Sequence, residues 1–204
     1  MEGRVLAIEC ATEACSAALF DGGELLAGRC ETIGRGHAER LVPLIAELPD
    51  KGRAVRIVVS LGPGSFTGVR IGLAAARALG LAWKAEVLGY PTLALVAAMA
   101  REAHPGPVTV CMTGGHGEWF VQDFAADGLP EAPLASLTPA QASERHRHEG
   151  VAGSQAAALA LGRIALDILP DARRFGLLPP SLLTPDLSPI YGRAPDARLP
   201  GAAR

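Results

Sequence analysis

The segment from Gly62 to Gly72, Gly-Pro-Gly-Ser-Phe-Thr-Gly-Val-Arg-Ile-Gly, constrains the fold more than any other part of this 204-residue chain. It follows a mostly β-branched run at 55–59 and opens an Ala- and Leu-rich stretch that continues to Trp83. This order predicts a strand, a tight glycine turn and a helix. Pro63 fixes one backbone angle, and the glycines on either side of it can adopt positive φ, which makes the turn sharp.

The helix after this turn has two candidate caps, Ser65 and Thr67. Its free amides and positive dipole end can hold a phosphate or carboxylate, so the turn is a candidate nucleotide-facing loop. The known phosphate motifs do not fit: a P-loop requires Lys and then Ser or Thr after its last glycine, where this chain has Val69 and Arg70. The dinucleotide fingerprint requires two residues, not three, between its second and third glycines. A plain strand-to-helix connection is the alternative, and composition alone favours it.

A stripe of very small side chains runs along one face of the same helix. Gly68, Gly72, Ala76 and Gly80 recur every four residues. Interior glycines cost about 1 kcal/mol each relative to alanine, so we expect close approach by another element to offset that loss. This element could be the chain's own sheet, a ligand, or a helix of another subunit. The sequence does not decide among them.

Composition favours an α/β fold and a cytoplasmic protein. Hydrophobic residues make up 49% of the chain and aromatic residues only 4%, which suits helices packed closely on sheets. The net charge of −2 and the scattered arginines argue against independent binding of nucleic acid, so any such role is expected to be indirect. We expect no signal peptide and no membrane span. Free thiols in a reducing compartment explain the four cysteines best, because none forms a C-x-x-C pair: Cys10, Cys15, Cys30 and Cys111.

Periodicity and turn residues predict two lobes, 1–103 and 104–204, divided at the break His104-Pro105-Gly106-Pro107. In the first lobe we predict strands at 4–9, 15–20, 24–30, 55–59 and 86–90, and helices at 37–48, 66–83 and 92–104. We expect Pro43 to kink or interrupt the first helix. In the second lobe we predict strands at 108–112 and 119–124, a helix at 155–169, and a loose tail after about residue 194.

No catalytic or metal-binding set is evident. Zinc requires three or four ligands, with helical pairs four residues apart, and the residue four positions after His37 is Leu41. The G-x-S-x-G motif of a nucleophile elbow is absent. Glu9, beside the first turn, could hold a metal-bound phosphate or act as a base. It could equally cap a turn or pair with an arginine, and we favour that interpretation.

Taken together, five blocks resemble the TsaB family of bacterial threonylcarbamoyladenosine biosynthesis proteins, also called YeaZ-type or glycoprotease-like proteins. They occur in the family's order over nearly the whole chain, and the third is very specific. The blocks are Val5–Glu9 with Thr12–Ser16, Gly36–Pro43, Gly62–Gly72, Tyr90–Leu93 and Ser188–Arg193.

The resemblance implies a two-lobed α/β fold of the actin, sugar kinase and Hsp70 type, which is ribonuclease H-like. It implies a non-catalytic paralogue of the metal-dependent enzyme TsaD. Family members pair with TsaD, and with the ATPase TsaE, to install threonylcarbamoyl on the adenosine beside the anticodon of tRNA. No cofactor is required, although ATP or ADP could bind at the partner interface, and the isolated chain could homodimerise. The tRNA is contacted indirectly and no membrane is involved.

The family pairs through its first two helices, which correspond here to 37–48 and 66–83. The implied partner-interface residues are His37, Leu41, Leu44, Ile45, Gly68, Val69, Gly72, Leu73 and Ala76. The implied nucleotide-facing turn consists of Glu9, Thr12, Gly62, Gly64, Ser65 and Thr67. TsaD-like enzymes hold their metal with two histidines four residues apart, of which His37 matches the first.

The chain departs from the family pattern at two places. It has Glu9 and Ala11 where the family has aspartate and serine or threonine. This difference argues against a phosphate or metal contact at these positions. It has Thr113-Gly114-Gly115 where the family has Asp-Ala-Arg. The alternative function is a stand-alone nucleotide-binding kinase or ATPase of the same superfamily. A metalloprotease ranks last, because the second histidine is absent.

Overall fold

The computed structural model describes residues 3–145 and 147–192. Within these residues the strands form two five-stranded sheets. The first contains β1 (Arg4–Glu9), β2 (Ala14–Asp21), β3 (Glu24–Thr32), β4 (Arg56–Ser60) and β5 (Glu86–Tyr90). The second contains β6 (Val108–Thr113), β7 (Trp119–Phe124), β8 (Ala135–Leu137), β9 (Gly150–Ala152) and β10 (Ile164–Leu166). The predicted loose tail lies outside the described residues, as does Arg193 of the last family block.

The two sheets share one topology. The first has the order β3-β2-β1-β4-β5, with β1 to β3 antiparallel and with β4 and β5 added parallel to β1. The second, read as β8-β7-β6-β9-β10, repeats this pattern strand for strand, including the parallel pairs. This is the ribonuclease H-like order of the actin, sugar kinase and Hsp70 class. The predicted two-lobed α/β fold is confirmed.

The helices follow the sequence pattern in the first lobe and depart from it in the second. They are α1 (His37–Ala46), α2 (Phe66–Trp83), α3 (Thr92–Ala100), α4 (Pro139–Arg145) and α5 (Ala156–Ala160). The α1 helix continues through Pro43, so the predicted interruption there is wrong. None of the described helices is long and apolar enough to cross a membrane.

The predicted helix at 155–169 is wrong beyond Ala160. Leu161 adopts a left-handed conformation with φ 46°, and Gly162 follows with φ 91°, so the chain turns and cannot continue as a helix. The next residues form β10, which pairs with β9. The apolar residues that suggested one long helix therefore belong partly to an edge strand, because sheet pairing outweighs local helix propensity here.

The α3 helix links the two lobes through a shared core. Residues Thr92 to Ala98 are all buried, which fits a helix that is apolar on every side. One face of the first sheet, including Val5 and Phe20, belongs to the same apolar cluster as Val108 and Val110 of the second sheet. The two lobes are therefore joined by a well-packed core around α3, and the cleft between the lobes lies beside this core.

After β10 the chain returns to the first lobe. The Ala172 amide donates a hydrogen bond to Ser16 Oγ at 2.9 Å, and Thr184 exchanges two backbone hydrogen bonds with Gly89 on β5. The Ile190 amide then donates to the Leu61 carbonyl at 2.8 Å. The first lobe is thus completed by residues from both predicted segments, 1–103 and 104–204. The division between them at residues 103/104 stays a prediction. This return brings Tyr191 to the mouth of the cleft.

Candidate functional site: the cleft between the lobes

The Gly62 turn connects β4 to α2 as predicted, and Ser65 is the cap. Its side chain accepts a hydrogen bond from the Gly68 amide at 3.1 Å. Gly62 has φ +88°, as expected. Gly64 does not adopt positive φ; glycine is needed there because the Ala11 carbonyl oxygen occupies the space of a Cβ.

The small-residue stripe of α2 packs against the chain's own sheet. A Cβ on Gly68 would overlap the Cys10 carbonyl oxygen, and a Cβ on Gly80 would overlap Val87 of β5. A Cβ on Gly72 would lie 3.4 Å from Val59 Cγ2 on β4. Of the three explanations left open by the sequence, the structure supports the chain's own sheet. The stripe lets α2 approach β1, β4 and β5 closely.

The predicted partner-interface residues lie on the inner sides of α1 and α2, and the interface itself stays a prediction. All nine are buried within this chain: His37, Leu41, Leu44 and Ile45 on α1, and Gly68, Val69, Gly72, Leu73 and Ala76 on α2. Side chains covered by their own sheet cannot form a contact surface in the folded protein. A partner that binds these two helices must contact their outer faces, where Val42 is 57% exposed and Leu81 is 85% exposed.

His37 is held by the first turn. Its Nε2 atom donates to the Thr12 carbonyl oxygen at 2.8 Å, and its side chain is almost fully buried at the start of α1. Leu41, one turn later, is also buried and offers no ligand atom. His37 therefore anchors α1 to the β1–β2 turn.

Glu9 is a buried carboxyl group that closes a turn. Its Oε1 accepts from the Ala11 amide at 2.7 Å, and the Tyr90 hydroxyl shares its proton between Oε2 at 3.3 Å and the Ile8 carbonyl oxygen at 3.0 Å. Burial raises the pKa of Glu9 to about 7, against an ordinary value of 4.5, and these hydrogen bonds offset part of the rise. The side chain does not line the cleft. The favoured interpretation of Glu9 as a turn cap is confirmed.

The cleft between the two lobes has a volume of about 750 Å³. Three of the six residues predicted to face a nucleotide line it: Thr12, Gly64 and Ser65. Thr67 lines a neighbouring depression of about 490 Å³ at the start of α1 and α2, together with Arg35 and Ile71. Glu9 and Gly62 line neither.

The second lobe contributes a matching turn that sequence reasoning missed. Gly153, with φ +110°, and Ser154 connect β9 to α5, just as the Gly62 turn connects β4 to α2. Ser154 Oγ accepts from the Thr113 amide at 3.0 Å, and the Gln155 side chain donates to Thr113 Oγ1 at 2.8 Å. The departing run Thr113-Gly114-Gly115 therefore forms the second-lobe wall of the cleft. The sequence pattern that could have revealed this turn is the glycine–serine pair between two apolar runs.

Three further residues at the rim were not predicted as site residues. The Arg70 guanidinium lies over the Phe66 ring, with Cζ 3.4 Å from the ring centroid, and its Nη2 donates to the Tyr191 hydroxyl at 2.8 Å. The centroids of the Phe66 and Tyr191 rings are 5.9 Å apart. Phe66 is 58% exposed and Tyr191 is 48% exposed. We call these three residues the rim stack.

The lining is mostly apolar, with a few polar groups set in it. These include serine hydroxyls from both lobes, the charged side chains of Arg70 and Glu13, and His116. Over residues 3–145 and 147–192, no group of three or more His, Cys, Asp or Glu side chains could hold a metal ion. Glu9, whose pKa is raised to about 7 by burial, does not line the cleft.

A comparison with known protein families shows which family this chain belongs to. The family described as "TsaD: tRNA N6-adenosine threonylcarbamoyltransferase" matches residues 31–156, which is more than half of the chain. The chain belongs to this family. The matched region begins in β3 and includes α1, the Gly62 turn, α2 and the second-lobe turn at Gly153.

Within the TsaD family, the chain is similar to proteins named TsaB. It is 40% identical over 130 residues to the tRNA threonylcarbamoyladenosine biosynthesis protein TsaB of Escherichia coli (strain K12), which covers 61% of this chain and 56% of the relative. It is 38% identical over 105 residues to TsaB of Haemophilus influenzae, covering 49% and 44%. The chain thus matches about half the length of these curated relatives.

The solved structures agree over a longer span. YeaZ from Pseudomonas aeruginosa superimposes with a TM-score of 0.74 at 29% identity, covering 87% of this chain and 90% of that one. The predicted resemblance to the TsaB, or YeaZ-type, proteins is confirmed. It places the chain in the part of the TsaD family that is named for tRNA threonylcarbamoyladenosine biosynthesis.

Proposed function

We propose that this chain is a non-catalytic subunit that pairs with a TsaD-type transferase in the formation of threonylcarbamoyladenosine beside the anticodon of tRNA. The names of its relatives support a role in this pathway. Membership of the TsaD family supports a common ancestry with the transferase. In this proposal the ATPase TsaE joins the same assembly, which works in the cytoplasm.

The geometry around His37 supports a non-catalytic role. A TsaD-type metal site needs a second histidine four residues after the first, and Leu41 is buried at that position. His37 itself already bonds to the Thr12 carbonyl oxygen. A metal bound here would have to displace that hydrogen bond and would find no second ligand one turn away.

The proposed pairing with a transferase rests on the outer surface of α1 and α2. Their inner faces are fixed on the chain's own sheet, while their outer faces expose apolar side chains among the charged residues Glu39, Arg70 and Arg77. Val42 and Leu81 are large exposed side chains, and around them lie the small exposed residues Ala38, Pro43, Ala46, Ala74, Ala78 and Ala82. We call this surface the α1–α2 face. Small side chains allow another helix to approach closely, and an exposed apolar surface is stabilised when a partner covers it.

A nucleotide is not needed for this pairing, but it could strengthen it. The depression of about 490 Å³ that contains Thr67 lies where α1 and α2 begin, beside the α1–α2 face. Arg35 and the first amides of both helices suit a phosphate there. We therefore propose ADP or ATP as an optional component at the partner interface.

Titration of the purified chain with a purified TsaD-type transferase from the same source tests the function. Calorimetry, with and without ADP, should show saturable 1:1 binding, and light scattering should show a heterodimer that replaces any homodimer of the isolated chain. Absence of a complex at protein concentrations of tens of micromolar, together with steady ATP hydrolysis by the isolated chain, would instead support a stand-alone ATPase.

A further inference from the structure

The rim stack combines two chemical features that neither the fold nor the proposed pairing explains. Phe66 and Tyr191 are aromatic side chains that remain about half exposed. Arg70 is exposed between them and holds the two rings together through its contact with Phe66 and its hydrogen bond to Tyr191. All three residues line the mouth of the cleft.

The positive charge of Arg70 is not neutralised by a carboxylate in the part of the chain that the structure describes. Its contacts are the Phe66 ring and the Tyr191 hydroxyl. Two turns further along α2, Arg77 donates to the Leu187 carbonyl oxygen. By contrast, Arg40 and Arg56 of the same lobe form ion pairs with glutamates. The carboxylate of the cleft lining, Glu13, belongs to the β1–β2 turn.

Exposed aromatic rings beside a guanidinium form a surface on which a nucleobase can stack. Every base has a flat apolar face that covers an aromatic ring or an arginine plane, and its phosphate is attracted to the guanidinium. Aromatic and arginine side chains are also enriched in protein interfaces, but the broader apolar surface that a protein partner covers is, in this chain, the α1–α2 face. The combination of stacked rings with a cation that no carboxylate of the described residues neutralises therefore favours RNA at the rim.

We propose that the rim stack binds an unpaired base and its adjacent phosphate in a single-stranded loop of RNA. The inference rests on the proposed function, since the RNA would be the tRNA that the assembly modifies, and it replaces the expected indirect role with a direct contact. Phe66 and Arg70 lie on α2, the helix that also carries Leu81 of the α1–α2 face. RNA at the rim would therefore contact the start of this helix, about 20 Å along its axis from Leu81. The net charge of −2 limits this to a weak, local contact that the assembly supplements.

Fluorescence anisotropy with 5′-fluorescein-labelled hexaadenylate tests the inference, on the isolated chain and on its complex with the transferase. Phe66→Leu keeps an apolar side chain but removes the ring, and should weaken binding about tenfold, whereas Phe66→Tyr should bind like the wild type. Arg70→Met should weaken binding and lower the slope of log K against log salt by about 0.7. Arg53→Met is the matched control: it removes an exposed charge near the start of β4, at the sheet end away from the cleft, and should change neither quantity.

Several outcomes would overturn the proposal. Equal binding by Phe66→Leu and Phe66→Tyr, in both the chain and the complex, would show that the stack only fastens the C-terminal segment to α2. Displacement of the probe by AMP at the same molar concentration as by unlabelled hexaadenylate would assign the site to a free nucleotide. Calorimetry of the same variants with the transferase separates the two proposals: lost RNA binding with unchanged pairing supports the rim contact, while lost pairing would count against the proposed function.

Discussion

The Cys10 carbonyl oxygen occupies the space into which a Cβ atom on Gly68 would project. Cys10 directly follows β1, and Gly68 is the third residue of α2, so this contact brings the start of the helix against the backbone of the central strand. In the same way, the Ala11 carbonyl oxygen occupies the space of a Cβ on Gly64, at a position nearer to the cleft. The glycines of this segment thus set how closely the first lobe's helix and sheet approach each other.

Gly68→Ala should destabilise the protein by about 2 kcal/mol, because the added methyl group meets backbone that cannot rotate away. Gly72→Ala, one turn later in the same helix, is the matched control. Its Cβ would lie 3.4 Å from Val59 Cγ2, an ordinary contact, so the gain of about 1 kcal/mol from replacing an interior glycine should appear. Urea denaturation of both variants measures the two effects, and equal changes would contradict this account of the stripe.

Ser65→Ala should cost about 1 kcal/mol of stability, because the Gly68 amide loses its hydrogen-bond acceptor. Ser65→Asp should restore most of this loss, since a carboxylate can accept the same bond and also favours the positive end of the helix. Thr67→Ala, which removes the other hydroxyl at this end of α2, should have a smaller effect. Thermal unfolding followed by circular dichroism provides the comparison. If Thr67→Ala were the more harmful change, Ser65 would not be the effective cap.

Local sequence patterns predicted most of the first lobe. The runs at 4–9 and 66–83 match β1 and α2, because the periodicity and the turn residues agree there. The same logic failed at 155–169, where an apolar run is shared between a short helix and an edge strand. Only pairing with β9 distinguishes the two, and that pairing depends on residues far away in the chain.

The site was harder to predict than the fold, for a similar reason. The small residues of α2 indicated close approach, but the side from which that approach comes is a tertiary property, and it proved to be the chain's own sheet. The rim stack joins Phe66 and Arg70 to Tyr191, which lies more than a hundred residues later. No local spacing reveals such a contact. The turn at Gly153 could have been found, since it repeats the strand–turn–helix order of the Gly62 turn.

Val42→Arg and Leu81→Arg should each weaken binding to a TsaD-type transferase by at least tenfold, because each places a charge on the α1–α2 face. Both side chains are exposed, so the variants should fold normally. Leu129→Arg is the control: Leu129 is also exposed, at 38%, but follows β7 in the second lobe. Calorimetric titration gives the three affinities. Unchanged binding by both helix variants would mean that the partner binds elsewhere.

Glu9 should make the protein less stable as the pH rises from about 4.5 to 7. Burial raises the pKa of Glu9 to about 7, against 4.5 for an ordinary glutamate, so the folded state retains a proton that the unfolded state releases. The neutral group's contribution is therefore complete below pH 4.5 and is lost as the pH rises through 7, by about 3 kcal/mol in all.

Glu9→Gln should remove this loss, because the amide is neutral at every pH and of nearly the same shape. Its oxygen can accept from the Ala11 amide, and its NH₂ group can donate to the Tyr90 hydroxyl, which itself donates to the Ile8 carbonyl oxygen. The variant should therefore resemble the wild type at pH 4.5 and exceed it by about 3 kcal/mol at pH 8. Glu24→Gln controls for the loss of an exposed carboxylate from the same sheet. Urea denaturation at both pH values decides: a constant difference between Glu9→Gln and the wild type would show that Glu9 does not titrate in this range in the folded protein.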